Sequence, residues 1–172
     1  MTQAAVNNAK VLYQLSVERQ DVERAQELFF VTPKLQETLE NPTIPIAKKY
    51  DIIEKVFGLE ETPKVLKDFV KTMCRLGNIG QMHDIFEAFY RYHDRQNHIL
   101  RAELVSAETA SDEEVKDAQE LLQSKYPNEK IYLTQKVDES LLGGYVIRTL
   151  NKEYDRSYEG RLRQLERKLT RR

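Results

Sequence analysis

Apolar residues recur at spacings of three and four through the first hundred positions, the period of a helix with one buried face. Ala5, Ala9, Leu12, Tyr13 and Val17 carry the first such stripe. A second opens near Asp21, an N-cap candidate, and puts Val22, Ala25, Leu28 and Phe29 on one side. Thr32 and Pro33 restart the chain as a short third helix that "ENP" ends. Thr43 precedes a fourth in which Ile46, Tyr50, Ile53, Val56 and Phe57 share a face, with Gly58 at the place of a left-handed stop residue. Thr62 and Pro63 repeat the cap-then-proline start for a fifth, whose Val65, Leu66, Phe69, Val70, Met73 and Leu76 form a wide stripe closed by "GNIG". Met82, Ile85, Phe86 and Phe89 open a sixth that runs to about Asn97. Short connections favour antiparallel neighbours, so residues 1–98 are predicted to form a six-helix bundle around one core.

At Ile99 the period changes to two: Leu100, Ala102 and Leu104 point one way, Arg101 and Glu103 the other, as in a strand. Ser111 with Glu114 reads as a capping box, opening a helix with Val115, Ala118, Leu121 and Leu122 inside and Pro127 beyond its end. "KIYLTQKV" and "YVIRTL" alternate again, and Asn151 with Lys152 can turn the chain into the short strand "EYD". Ser157 caps a last helix with Tyr158, Leu162, Leu165 and Leu169 on one side. The fold class expected is mostly α: the helical bundle, then residues 99–172 as a small α/β domain with a short mixed sheet and two helices. Neither a long linker nor an internal repeat separates the two.

Composition narrows the function classes. The chain has 172 residues, 40% apolar and 32% charged, enough to bury a core and too apolar for disorder. Its longest apolar run, "LLGGYVI", is far short of the roughly 18 residues that span a membrane, and "MTQAAVNNAK" lacks the apolar core of a secretory signal. A soluble, cytoplasmic chain is expected. Cys74 is the single cysteine, so an internal disulfide and a cysteine-rich zinc site are both excluded. Residues 152–172 hold 8 Lys and Arg against 4 Asp and Glu, which makes the tail the basic end of a chain whose net charge is −1. Basic residues late in a helix complement its dipole and here alternate with acids, which reads as a solvated face; a basic-tailed adaptor for nucleic acid or an anionic surface is the alternative.

No set of residues assembles into a catalytic centre. His83, His93 and His98 lie on or beside one helix, but His93 and His98 would lie about 140° apart on it, unlike the i, i+4 pair of a helical zinc site. Cys74 sits among Val70, Met73 and Leu76, where a small buried thiol is ordinary. "GNIG" at 77–80 resembles an RNA-binding GxxG loop but joins two helices without the sheet and basic setting that loop needs. Gly143 and Gly144 lack the third glycine and the following helix of a nucleotide fingerprint. The expectation is no catalytic, cofactor-binding or metal-binding residue, and no cofactor.

A mechanical account of the double glycine remains. Asp138 can cap the turn "ESLL", Leu141 and Leu142 anchor it, Gly143 stops it at positive φ, and Gly144 admits a neighbouring backbone as the strand starts. This stretch resembles the signature of the delta subunit of F-type ATP synthase, the oligomycin-sensitivity-conferring protein of mitochondria. The likeness runs through Val137, Asp138, Leu141, Leu142, Gly143, Gly144, Ile147 and Arg148, and continues in Asp155, Ser157, Gly160, Arg161 and Leu162. "AKVLY" at 9–13, "ENPTIP" at 40–45 and "VSAET" at 105–109 extend it over nearly the whole chain. It departs from the family at Asn8, where an aromatic is common, at "GNIG", where a basic residue is, and at Leu150, in place of a turn glycine.

That resemblance implies a non-catalytic peripheral-stalk, or stator, subunit that resists rotor torque while proton flow drives ATP synthesis, placed peripherally on the cytoplasmic face of a bacterial membrane. Its implied partners are the N-terminal segments of alpha subunits, held by the helical domain, and the b subunits, held by the C-terminal domain, with no nucleic acid and no direct membrane insertion. Helices one and five are the family's groove, so Val6, Ala9, Lys10, Tyr13 and Val17, flanked by Val11, with Val65, Val70 and Met73, are its candidate lining; the alternative for each is a place in the core. On the b side the candidates are the signature residues with Tyr158, Leu162, Leu165 and the surrounding arginines, the alternative being that the leucines only pack on the sheet.

Overall fold

The computed structural model describes residues 2–31, 33–58 and 62–170. Thr2 starts the first helix by accepting the amide of Ala5 on Oγ1 at 3.2 Å, an N-cap bond that satisfies a donor the helix itself cannot. The helices that follow are α1 (Gln3–Gln14), α2 (Arg19–Val31), α3 (Pro33–Glu40), α4 (Ile46–Gly58), α5 (Lys64–Arg75) and, after a 3-10 turn (Ile79–Gln81), α6 (Met82–Gln96). Their apolar stripes meet in one core that seals Leu12, Phe29, Ile53, Phe57, Leu66, Phe86 and Phe89. α5 packs most closely on α4.

Local signals misplaced several helix ends. Asp21 lies within the first turn of α2, whose opening carbonyl is Glu18's, accepting the amides of Asp21 (3.1 Å) and Val22 (3.2 Å). The Thr32 cap lies outside the described residues. Gly58 is the last residue of α4 itself and not in the left-handed region. The stop at "GNIG" is real: Gly77 has φ +71°, and the amide of Asn78 reaches back to the Met73 carbonyl at 2.9 Å. Thr62 does not cap α5, which has Pro63 at its N-cap; Thr62 is buried and its Oγ1 finds no partner among the described residues. Leu76 leaves the α5 stripe for solvent because the helix ends at Arg75.

The chain divides into two compact units, Met1–His93 and Asp94–Arg172. The last turn of α6 goes with the second unit, where Asp94 Oδ2 accepts from Arg101 Nε at 2.8 Å; the boundary expected between 98 and 99 follows the change of period instead. In the second unit β1 (Ile99–Ser106), α7 (Asp112–Lys125) and β2 (Lys130–Val137) form a parallel crossover, and β3 (Tyr145–Thr149) and β4 (Glu153–Asp155) continue the sheet antiparallel, in the order β2-β1-β3-β4. Ala102, Leu104, Tyr145 and Ile147 are buried with Ala118 and Leu122 of α7. The Ser111–Glu114 capping box forms as predicted. The β3–β4 turn is centred one residue earlier than expected, on Leu150 and Asn151, because Thr149 closes it through its amide to the Lys152 carbonyl (2.8 Å) and through its hydroxyl. α8 (Tyr158–Thr170) ends the described chain. Among the described residues the protein is thus mostly helical, with eight helices and one small mixed sheet.

Candidate functional site

The two halves of the signature meet at the entry to β3. After β2, the Asp138 amide donates to the Ser106 carbonyl (2.8 Å), and its Oδ1 accepts the amide (3.1 Å) and hydroxyl (2.6 Å) of Ser140, turning the chain outward. Those bonds, the hydroxyl's first, hold the Asp138 carboxyl below the usual aspartate value. Gly143 (φ +135°) and Gly144 (φ +73°) then bring the chain back in conformations that L side chains rarely adopt. A Cβ on Gly143 would stand 2.5 Å from the Tyr158 ring, and one on Gly144 would stand 2.6 Å from the Arg156 carbonyl oxygen. The backbone bonds Tyr158 N to Gly143 O (3.0 Å) and Arg156 N to Tyr145 O (2.9 Å) need that closeness. The expected close backbone approach at Gly144 is present. Leu142 is no anchor, being 79% exposed, because the outward turn carries it into solvent.

The second half locks the start of α8. Asp155 Oδ1 accepts the hydroxyl (2.6 Å) and amide (2.9 Å) of buried Ser157, whose Oγ in turn accepts the amide of Gly160 at 3.0 Å. The hydroxyl bond is the main reason the Asp155 carboxyl sits below its ordinary value, and partial burial opposes it. Gly160 is glycine because a Cβ there would lie 2.3 Å from Asp155 Oδ2. Ile147 is buried in the sheet, and Arg148 is exposed, its Nε 3.1 Å from Glu153 Oε2. Burial, then a hydrogen bond to Asp117, pushes the Tyr145 phenol up to about 12. Gly143, Gly144, Asp155, Ser157 and Gly160 therefore weld the β3 entry to the α8 start, with Asp138 turning the chain ahead of it and Ile147 in the sheet core beneath.

What the weld holds out is apolar. Tyr158, Leu162, Leu165 and Leu169, at spacings of three and four, are 56, 60, 55 and 78% exposed. The alternative in which these leucines pack on the sheet fails, because the helix leaves the weld with this face toward solvent. Arg161, Arg163 and Arg167 stand on the same helix, Arg163 within 3.5 Å of Glu159.

In the first unit the groove candidates separate. Ala9, Val70 and Met73 are sealed in the core, Val6, Tyr13 and Val17 are half-buried against it, and Lys10 and Val65 are exposed. Tyr13 spends its ring on α6, edge-on to Tyr92 at 5.1 Å. Val11 on the outer side of α1 and Leu15, the C-cap residue four positions on, are also exposed. Sequence reading missed Leu15, although its spacing from Val11 carried the signal. It also missed Lys49, an exposed residue by type, which is only 7% exposed and donates through Nζ to the Leu39 carbonyl at 2.6 Å, capping α3. Cys74 lies beside them, and burial pushes its thiol up. Among the described residues no three His, Cys, Asp or Glu side chains converge on a point that could hold a metal ion. No helix there is long and apolar enough to cross a membrane.

Known proteins resemble the chain as a whole. The family model described as ATP synthase delta (OSCP) subunit matches residues 2–169. An ATP synthase subunit delta of Lactiplantibacillus plantarum is 25% identical over 168 residues, covering 94% of this chain and 92% of the relative. One from Clostridioides difficile is 24% identical over 170 residues, covering 94% and 93%. In the solved structure of the Toxoplasma gondii mitochondrial ATP synthase hexamer, one chain superposes with a TM-score of 0.66 at 14% identity, covering 100% of this chain and 99% of that one; the fold is shared.

Proposed function

The chain belongs to the ATP synthase delta (OSCP) subunit family, a component of the peripheral stalk, and we propose that it ties the catalytic head of a proton-translocating enzyme to the stalk rising from the membrane. Rotation of the central shaft puts a torque on the head, and proton flow can drive ATP formation only if the head is held still. Holding requires slow dissociation, which contacts between amphipathic helices supply by burying apolar surface.

The observation that carries this reading is the uncovered apolar face of α8. Burying a leucine side chain yields about 1.5–3 kcal/mol, so a partner helix covering this face gains several kcal/mol that the isolated chain forgoes. The b subunits fit it, with the arginines of α8 at the rim of the contact. The six helices of the first unit act as a bundle that takes the N-terminal segments of alpha subunits, and Val11, Leu15 and Val65 support that role as exposed apolar residues on α1 and α5. The chain performs no chemistry of its own in this scheme, and it is peripheral, on the cytoplasmic face of a bacterial membrane.

The test is reconstitution. Enzyme stripped of this subunit should hydrolyse ATP yet fail to make it from a proton gradient. Adding the protein back should restore synthesis, and adding it with Leu162→Asp and Leu165→Asp should not. Full synthesis without the subunit would refute the proposal.

A further inference from the structure

α2 carries Glu23, Gln26, Glu27 and Phe30 at spacings of three and four, so they share one face of that helix. With Tyr90 of α6 they line a cleft of about 340 Å3. The Tyr90 hydroxyl donates to Gln26 Oε1 at 2.6 Å, which fixes the ring. Burial, and then the charge of Glu23, push its phenol up to about 12, so it stays neutral at physiological pH. Phe30 is held edge-on to Phe29 at 5.1 Å and to Phe86 at 6.3 Å. The walls are thus oriented aromatic rings, and the charges that line the cleft are carboxylates.

At one end of this face the protein already holds a guanidinium by the same chemistry. Arg19 places its Cζ 4.5 Å from the centre of the Tyr90 ring, with its Nε 2.8 Å from Glu23 Oε1. One turn along, Glu27 has neither a hydrogen bond nor an ion pair among the described residues, and it lines the cleft with Phe30. A planar guanidinium pairs with a carboxylate and stacks on an aromatic face at once, which an ammonium does less well.

We propose that the cleft between α2 and α6 is a docking site for an arginine side chain of a partner polypeptide, held by Glu27 and the ring of Phe30, beside the Tyr90 ring that carries Arg19. The polypeptide source follows from exposure: Glu23 and Glu27 both face solvent, so a peptide can lie over the surface and insert one side chain between them and the rings. The site uses neither the exposed residues of α1 and α5 nor the face of α8, so it stands or falls separately from the stalk assignment.

The test follows amide and aromatic shifts of the isotope-labelled full chain during titration with acetyl-Ala-Ala-Arg-Ala-Ala-amide and with its citrulline twin, which keeps the shape and removes the charge. Saturable shifts at Gln26, Glu27, Phe30 and Tyr90 are expected with the arginine peptide, and binding about fivefold weaker with citrulline. Glu27→Gln, an exposed change that the fold tolerates, should weaken the arginine peptide about threefold, while Glu113→Gln in the other unit leaves it unchanged. Equal affinity for the two peptides, no saturable shift at these residues, or no effect of Glu27→Gln overturns the proposal. Agmatine binding as tightly as the peptide overturns the polypeptide source.

Discussion

The carbonyl oxygen of Arg156 lies 2.6 Å from where a Cβ on Gly144 would be, so the backbone before α8 occupies the space of a side chain at the start of β3. Gly144 also has φ +73°. Gly144→Ala meets both penalties and should destabilise the second unit by roughly 2 kcal/mol or more, read as earlier denaturant unfolding and as lost amide protection in β3. Gly143→Ala meets the Tyr158 ring instead, which is largely exposed. Tyr158→Ala should therefore rescue part of the Gly143→Ala defect and none of the Gly144→Ala defect. Equal rescue of both would contradict the geometry.

Acid should loosen the same weld. The Asp155 carboxyl is depressed below its ordinary 3.8 mainly by the Ser157 hydroxyl. A depressed carboxylate contributes stability that is fully present above its unfolded value and is lost as pH falls through its folded value. Amide protection at Ser157 and Gly160 should drop below about pH 4. Ser157→Ala removes the hydroxyl bond, brings Asp155 back toward its ordinary value, and should flatten that pH dependence. An unchanged slope in Ser157→Ala would show that Asp155 is held by something else.

These two relationships also show how far the sequence could be read. The strand-entry role of the double glycine was legible, because a positive φ and a close backbone approach are what adjacent glycines permit. That Gly160 must be glycine was not, since the group it makes room for, the Asp155 carboxylate, is placed there by a hydrogen-bond chain through Ser157. Helix stripes were legible from their period, but not which apolar residues face outward: Val65 and Val70 sit in one stripe of α5, yet only Val65 is exposed, because α4 and the core cover one side. Buried Lys49 was invisible, since the demand for it comes from a carbonyl at the end of α3, ten residues away.

Lys49 gives a separate check on the first unit. Lys49→Met keeps the length of the side chain and removes the donor to the Leu39 carbonyl, leaving that oxygen, among the described residues, only the distant Cys74 Sγ at 3.9 Å. A cost of about 1–3 kcal/mol is expected from the unmade bond, measured by denaturant unfolding. A variant as stable as the parent would mean that the cap contributes nothing.

The alpha-side role of α1 and α5 predicts where a partner peptide is felt. Titration with the N-terminal segment of the matching alpha subunit should shift the amides around Val11, Leu15 and Val65, while core residues Ala9, Val70 and Met73 respond only through their neighbours. Shifts confined to the second unit would place the alpha contact elsewhere.

The most direct measurement is calorimetric titration of the full chain with the soluble helical part of the b subunits, comparing the parent with the double variant Leu162→Asp, Leu165→Asp. Both leucines are more than half exposed, so the variant should unfold within about 0.5 kcal/mol of the parent. Its affinity for the b helices should nevertheless fall by at least about 100-fold, the loss of two buried leucines from the contact. Unchanged affinity in a folded variant would contradict the account, because the uncovered face of α8 would then not be where the stalk is gripped.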